Sequence, residues 1–284
     1  MSVKRNFKDS VFTKLFSDPN LLRELYCAIC GVNLPPDIPV SINTLENVLY
    51  MDLYNDLSFE IGGKLVVLIE HSSTINPNMA LRLYLYHSRV LEKIINPRSL
   101  YSSKRLSIPW PEFYVLYNGV KPYPEKETLK LSDLFEKPQD IGLPEKAFPL
   151  LELEVRVLNI NEGNNGVILN RCKKLAEYSA FIAKAYTFLK ESGNREEAIK
   201  KAVLFCQKHD ILKGFLEIHA SEVLNMLLTE WNMEDAIAVA REEAWEDGRE
   251  ERDKEIARKL KAMGDSTDKI HIVTGLEYKI IENL

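Results

Sequence analysis

The chain has 284 residues, 45% of them hydrophobic and 28% charged, with a formal net charge of −5. Such an apolar fraction excludes wholesale disorder, and the negative total argues against a protein that binds polyanions through bulk charge. No apolar run reaches the ~18 residues of a membrane span. The opening MSVKRNFKDSVFTKLF lacks the long apolar stretch and cleavage site of a secretory signal. The four cysteines, Cys27, Cys30, Cys172 and Cys206, are too few for a disulfide scaffold in a chain of this length. A cytoplasmic location with no membrane partner is therefore expected.

In chain order, DSVFTKLFSDPNLLRELYCAICG reads as one or two helices. Asp18 can cap the second, Pro19 suits its first position, and Gly31 can end it in a left-handed conformation. NLPPDIPV is a Pro-rich connector, and ENVLYMDLY reads as a strand. After the hairpin described below, a turn at Asn76-Pro77-Asn78 leads into a helix that runs to about Ile95. NPRSLYSSKRLSIPWP is a polar, basic loop. EFYVLYNG and LLELEVRVLNI are β-rich, and the stretch between them, KPYPEKETLKLSDLFEKPQDIGLPEKAF, reads mostly as loop. From Asn170 onward the pattern is almost wholly helical. MEDAIAVAREEAWEDGREERDKEIARKL carries dense charge of both signs, as a solvated helix or weak coiled coil does. MGDSTDKIHIVTGLEYKIIENL reads as two short helices about a Thr274-Gly275 turn. The whole predicts a mixed α/β (α+β) core with helices on both sides of a sheet, then a helical tail.

Residues 55–73, NDLSFEIGGKLVVLIEHSS, form a hairpin whose register is fixed by its loop. A two-residue Gly62-Gly63 loop mixes polar and apolar pairs on each face. A three-residue Gly62-Gly63-Lys64 loop pairs Ile61 with Leu65, Phe59 with Val67 and Leu57 with Ile69, all apolar. The other face then holds Glu60 with Val66, Ser58 with Leu68, and Asp56 with Glu70. Directly opposed side chains stand ~5 Å apart at Cβ, so this register brings two carboxylates together. Paired carboxylates repel unless a cation sits between them. A hard divalent ion such as Mg²⁺ takes oxygen ligands and can activate water and offset charge on a phosphodiester. Two solvated strand-end acids would give the same pattern.

Beyond the hairpin, Arg82, Tyr86, Arg89 and Lys93 make one helical stripe. A basic stripe with an aromatic suits a phosphate backbone, and a solvated helix face with Tyr86 in the core fits the same spacing. Charge is also uneven along the chain. Residues 1–130 carry 15 Lys+Arg against 13 Asp+Glu, and the remainder 22 against 29.

The hairpin, IEHSSTINPNM, FKDSVFTKLF, the strands FYVLYNG and LELEVRVLNIN, the Arg/Glu-rich helix and the closing MG-S----I---TGL pattern together resemble the PD-(D/E)XK nuclease-type transposases, the recombination-promoting nuclease family. The resemblance covers nearly the whole chain. It implies a restriction-endonuclease-like core, a central mixed sheet flanked by helices with a metal site at one end. It also implies Mg²⁺- or Mn²⁺-dependent DNA cleavage linked to recombination or mobile elements. Asp56 matches the motif's first Asp and Glu70 its second acid, both as metal ligands. Ser72 stands at the third position, where the family carries Lys or commonly Gln. Serine is shorter and uncharged, so Lys64 or Arg82 is a candidate to take over that role. Glu24 is a candidate for the acid that the family sometimes supplies from the first helix. Arg82, Arg89 and Lys93 are the candidate DNA contacts.

The domains expected are a nuclease-like domain over 1–210, a helical extension over 211–262, and a helix-turn-helix-like segment over 263–284. The last suits partner contact or support of a homodimer as well as DNA contact. Cys27-Ala-Ile-Cys30 lacks a second ligand pair for zinc and reads as core thiols, and His71 alternates away from the Glu70 face. The function expected is a metal-dependent DNA endonuclease. The rivals are a catalytically weak or inactive DNA-binding protein on the same fold, and a protein–protein module working through the charged tail.

Overall fold

Gly62 and Gly63 take φ values of 58° and 64°, the left-handed region that glycine enters without strain. The Lys64 N–H donates back to the Ile61 carbonyl at 3.1 Å and closes a three-residue turn. The strands on either side are β2 (Leu57–Ile61) and β3 (Leu65–Ser72), and they pair Ile61 with Leu65, Phe59 with Val67 and Leu57 with Ile69, the register expected from loop length. The computed structural model describes residues 10–42, 57–144 and 149–283. Asp56, its pairing with Glu70, and the strand expected over ENVLYMDLY lie outside the described residues.

β3 is buried on both faces, and Val66, Val67, Leu68 and Ile69 are fully enclosed. Each such aliphatic side chain contributes about 1.5–3 kcal/mol relative to exposure. That double burial follows from topology. The remaining strands are β1 (Val40–Ile42), β4 (Trp110–Tyr117), β5 (Lys126–Lys130) and β6 (Glu154–Asn159), and the order is β1-β2-β3-β4-β6-β5. β4 runs parallel to β3 and to β6, while the other neighbours are antiparallel. A parallel centre needs helical cover on both faces. The helix α3 (Met79–Ile94) covers one, where Leu83, Tyr86 and Val90 join Leu68, Val115 and Val157 in a core cluster. On the other face, Phe12 of α1 (Val11–Leu15) stacks on His71, with ring centroids 4.9 Å apart. Tyr178 of α5 (Lys173–Ser192) meets the same ring edge-on.

The caps read from sequence are present. The Asp18 side chain accepts the Asn20 N–H at 2.7 Å at the start of α2 (Pro19–Cys30), and Gly31 closes that helix at φ 70°. Two strands went unread. β5 lies in the stretch expected to be mostly loop, together with 3-10 turns at Leu131–Leu134 and Pro138–Ile141. β1 extends the end of the Pro-rich connector. The helical region also begins slightly earlier than Asn170, with α4 (Gly166–Arg171). α6 (Arg195–Lys208) packs on α5 and is followed by α7 (Lys213–Ala262).

The chain divides into two units, Met1–Leu227, which holds the sheet, and Leu228–Leu284. In the second, α8 (Thr267–Thr274) and α9 (Tyr278–Glu282) flank Gly275 at φ 72°. Its small core is Ala257, Ile270, Leu276 and Ile281. Among the described residues no helix is long and apolar enough to cross a membrane.

Candidate functional site

Strand alternation puts Val66, Leu68, Glu70 and Ser72 on the face beneath α3. Glu70 is the exception in an apolar set, a carboxylate only 4% exposed. A buried charge needs compensation, and α3 supplies part of it. The Arg82 Nη2 lies 3.5 Å from Glu70 Oε2 and donates to the Tyr86 hydroxyl at 2.8 Å. Tyr86 follows Arg82 by one helical turn, so its own burial fixes where the guanidinium can go. The stripe expected along α3 is thus divided. Tyr86 belongs to the core, Arg82 turns to Glu70, Arg89 pairs on the surface with Glu92 at 2.7 Å, and Lys93 is exposed.

Ser72 shares the Glu70 face, and its hydroxyl closes a local turn. It donates to the Thr74 carbonyl at 2.6 Å and receives the Thr74 N–H at 3.4 Å. Two residues considered for neighbouring roles stand elsewhere. Lys64 lies in the turn at the opposite end of β3, about 20 Å from Glu70 at a strand rise of ~3.3 Å per residue. Glu24 accepts the Lys173 N–H at 3.0 Å and so caps α5, on the other side of the sheet. Of the two cations considered, Arg82 is the one that stands beside the acid.

The site lies at the carboxyl ends of the parallel strands, where polar side chains collect. The Asn118 N–H donates to the Ser72 carbonyl at 3.0 Å, and the Ile160 N–H to the Tyr117 carbonyl at 2.8 Å. Asn159 donates to the Tyr123 carbonyl at 2.9 Å, and Asn161 to the Gly119 carbonyl at 3.0 Å. Gly119 is required by space, since a Cβ there would stand 1.9 Å from the Ser73 carbonyl oxygen. A small cavity of about 10 Å³, room for roughly one water, adjoins this end, lined by Thr74, Asn76, Tyr117 and Tyr123 together with apolar side chains such as Met79 and Val115.

Behind β3, His71 faces away from Glu70, as alternation requires. Its Nε2 lies 3.0 Å from the Tyr178 hydroxyl. Burial pushes the ring's pKa down to about 4, against a smaller opposing effect of its hydrogen bond with Asn118. It is a neutral core histidine. The Cys27-to-Cys30 pair is half-buried rather than fully enclosed. The Cys30 Sγ lies 3.2 Å from the Tyr114 hydroxyl, which donates to Glu112 at 2.8 Å. Burial holds the Cys30 thiol above its ordinary range.

Nothing in the sequence flagged Tyr86 as the clamp on Arg82, Thr74 as the partner of Ser72, or Asn118 as the link between β3 and β4. The Asn-Gly after FYVLY was the available signal for the last. Among the described residues no three His, Cys, Asp or Glu side chains form a metal-holding group.

A family model described as "Putative transposase, YhgA-like" matches residues 45–198, a span that contains the hairpin, α3, the central strands and α5. The chain belongs to this family. Membership associates it with mobile elements and hence with DNA. No curated protein and no solved structure matches the chain.

Proposed function

We propose that the chain is a metal-dependent DNA endonuclease of the PD-(D/E)XK class, acting in recombination or transposition. The observation that carries this reading is Glu70, a carboxylate buried at the carboxyl end of a central parallel strand, within the family-matched span. In open sheets with parallel strands, ligands bind outside those ends.

Asp56 and Glu70 would hold Mg²⁺ or Mn²⁺, since carboxylate oxygens are the donors such hard ions take. When bound, the ion supplies charge stabilisation at the phosphodiester and an activated water. Glu70 would be held in position by burial and by Arg82, whose guanidinium is itself positioned by Tyr86. Arg82 also offers a phosphate-binding fork near the acid, and Arg89 and Lys93 extend positive charge along α3. Ser72 would occupy the third position of the motif. Residues 1–210 would form the nuclease domain, with 211–262 as its helical extension and 263–284 as a segment for DNA, partner or homodimer contact.

A second reading has its own support. The Ser72 hydroxyl is already engaged by Thr74, and an arginine already stands 3.5 Å from Glu70. Both suit a protein that keeps the fold to bind DNA without cleaving it. A plasmid-nicking assay with Mg²⁺, with EDTA, and with Asp56→Ala and Glu70→Ala separates the two. The endonuclease reading expects nicking by the wild type that disappears in the other three samples. Salt-sensitive DNA binding with no nicking by the wild type would establish the binder instead.

A further inference from the structure

The segment from Lys93 to Pro111 contains no Asp or Glu, and carries Lys93, Arg98, Lys104 and Arg105. It also carries two aromatics held out in solvent, Tyr101 at 92% and Trp110 at 72% exposure. Large rings are normally withdrawn from water, so two in one basic loop call for a ligand. We propose that this loop, residues 97–110, is a stacking platform for single-stranded DNA. It is separate from the carboxylate site and lies toward the opposite end of the sheet.

The backbone presents these rings on a fixed frame. The Asn96 side chain accepts the Arg98 N–H at 3.0 Å and caps the 3-10 turn Pro97–Tyr101, which carries Tyr101. Trp110 sits between Pro109 and Pro111, and its N–H donates to the Lys64 carbonyl at 2.8 Å. That bond ties the loop to the β2–β3 turn, where Lys64 is exposed and adds a further positive charge. Among the described residues Arg98, Lys104 and Arg105 enter no ion pair. The acids that border the segment are engaged, Glu92 by Arg89 and Glu112 by Tyr114.

Ring faces plus unpaired cations match an unpaired strand specifically. A duplex offers its phosphates to the cations but hides its base faces, whereas single-stranded DNA offers both. Trp110 pairs with Leu65, about 16 Å along the strand from the Glu70 position. The platform would therefore engage the strand a few nucleotides from the acid. The role in DNA processing rests on the endonuclease reading, while the binding itself does not.

The test is fluorescence anisotropy with a labelled oligothymidylate of about 20 nucleotides, longer than the ~4–16 that one platform covers. The full chain is compared with Tyr101→Ala, Trp110→Ala, Trp110→Phe and the double variant Lys104→Ala/Arg105→Ala. Each alanine at an aromatic should weaken binding about 5- to 100-fold, the range of one base stack, and Trp110→Phe should keep most of it. The charge variant should lower the salt slope by about 1.4. Circular dichroism should be unchanged, because all four positions are exposed. An equal-length duplex that binds tighter than the oligonucleotide, or aromatic variants that bind like the wild type, would overturn the proposal. Glu70→Ala is the control that separates the two readings. Oligonucleotide binding that depends on Tyr101 and Trp110, without any nicking, would refute the endonuclease and leave the platform standing.

Discussion

His71 gives the sheet a built-in acid limit. Its ring is packed between Phe12 and Tyr178, and its pKa is about 4 in the fold against an ordinary 6.5. As pH falls, the unfolded chain takes up this proton first, so stability is full above about pH 7 and falls as pH drops from 6.5 toward 4. With those two values the loss is about 2 kcal/mol at pH 5 and about 3 kcal/mol below pH 4. At a urea m-value of ~2 kcal/mol/M, the pH 5 loss moves the midpoint down by about 1 M. The assay is urea unfolding of wild type and His71→Gln at pH 7.5 and pH 5, followed by fluorescence. Other groups titrate in both proteins and cancel in the comparison. The glutamine variant starts lower at pH 7.5, because it loses the stacking on Phe12, but it should lose about 2 kcal/mol less on acidification. Equal losses in the two proteins would refute the assignment of His71 as a neutral core residue.

Two further outcomes follow from geometry near the acid. Gly119→Ala places a methyl 1.9 Å from the Ser73 carbonyl, where backbone must move, and should cost about 3 kcal/mol or more, read as a fall in Tm. Arg82→Met removes the cation from beside Glu70. Because the Arg82 side chain is 38% exposed, the cost should be about 1–2 kcal/mol rather than that of a fully buried pair. A double-mutant cycle with Glu70→Gln should show a coupling of at least ~0.5 kcal/mol, and strict additivity would show that the pair is incidental.

The hairpin was legible because two independent signals agreed. Loop length and the hydrophobic set both pointed to Ile61 opposite Leu65, and a one-residue slip would have spoiled every pair. Helix ends were legible for a similar reason, since Asp18, Pro19 and Gly31 act on their immediate neighbours. Contacts distant in sequence were not. Arg82 was a candidate neighbour of the acid only through the family resemblance, and no local pattern announces that Cys30 will meet Tyr114 from a different element. Lys64 is an instructive error. Its charge made it a candidate beside the acid, although the register already placed it at the far end of the strand. The two missed strands failed on composition. β1 spans only Val40–Ile42, and Lys-Glu-Thr-Leu-Lys in β5 shows no alternation of apolar and polar residues.

That last feature has a consequence for how copies of the chain can meet. β5 pairs with β6 alone and ends the strand order among the described residues, so its outer backbone offers unpaired hydrogen-bonding groups. An apolar strand in that position would invite a neighbouring molecule to continue the sheet and build aggregates. β5 carries a lysine at each end and a glutamate between them, and most of its side chains are solvated. An approaching strand would have to desolvate those charges, which makes continuation of the sheet unfavourable. Polarity that concealed β5 from pattern reading thus guards this margin of the sheet against continuation by a second copy.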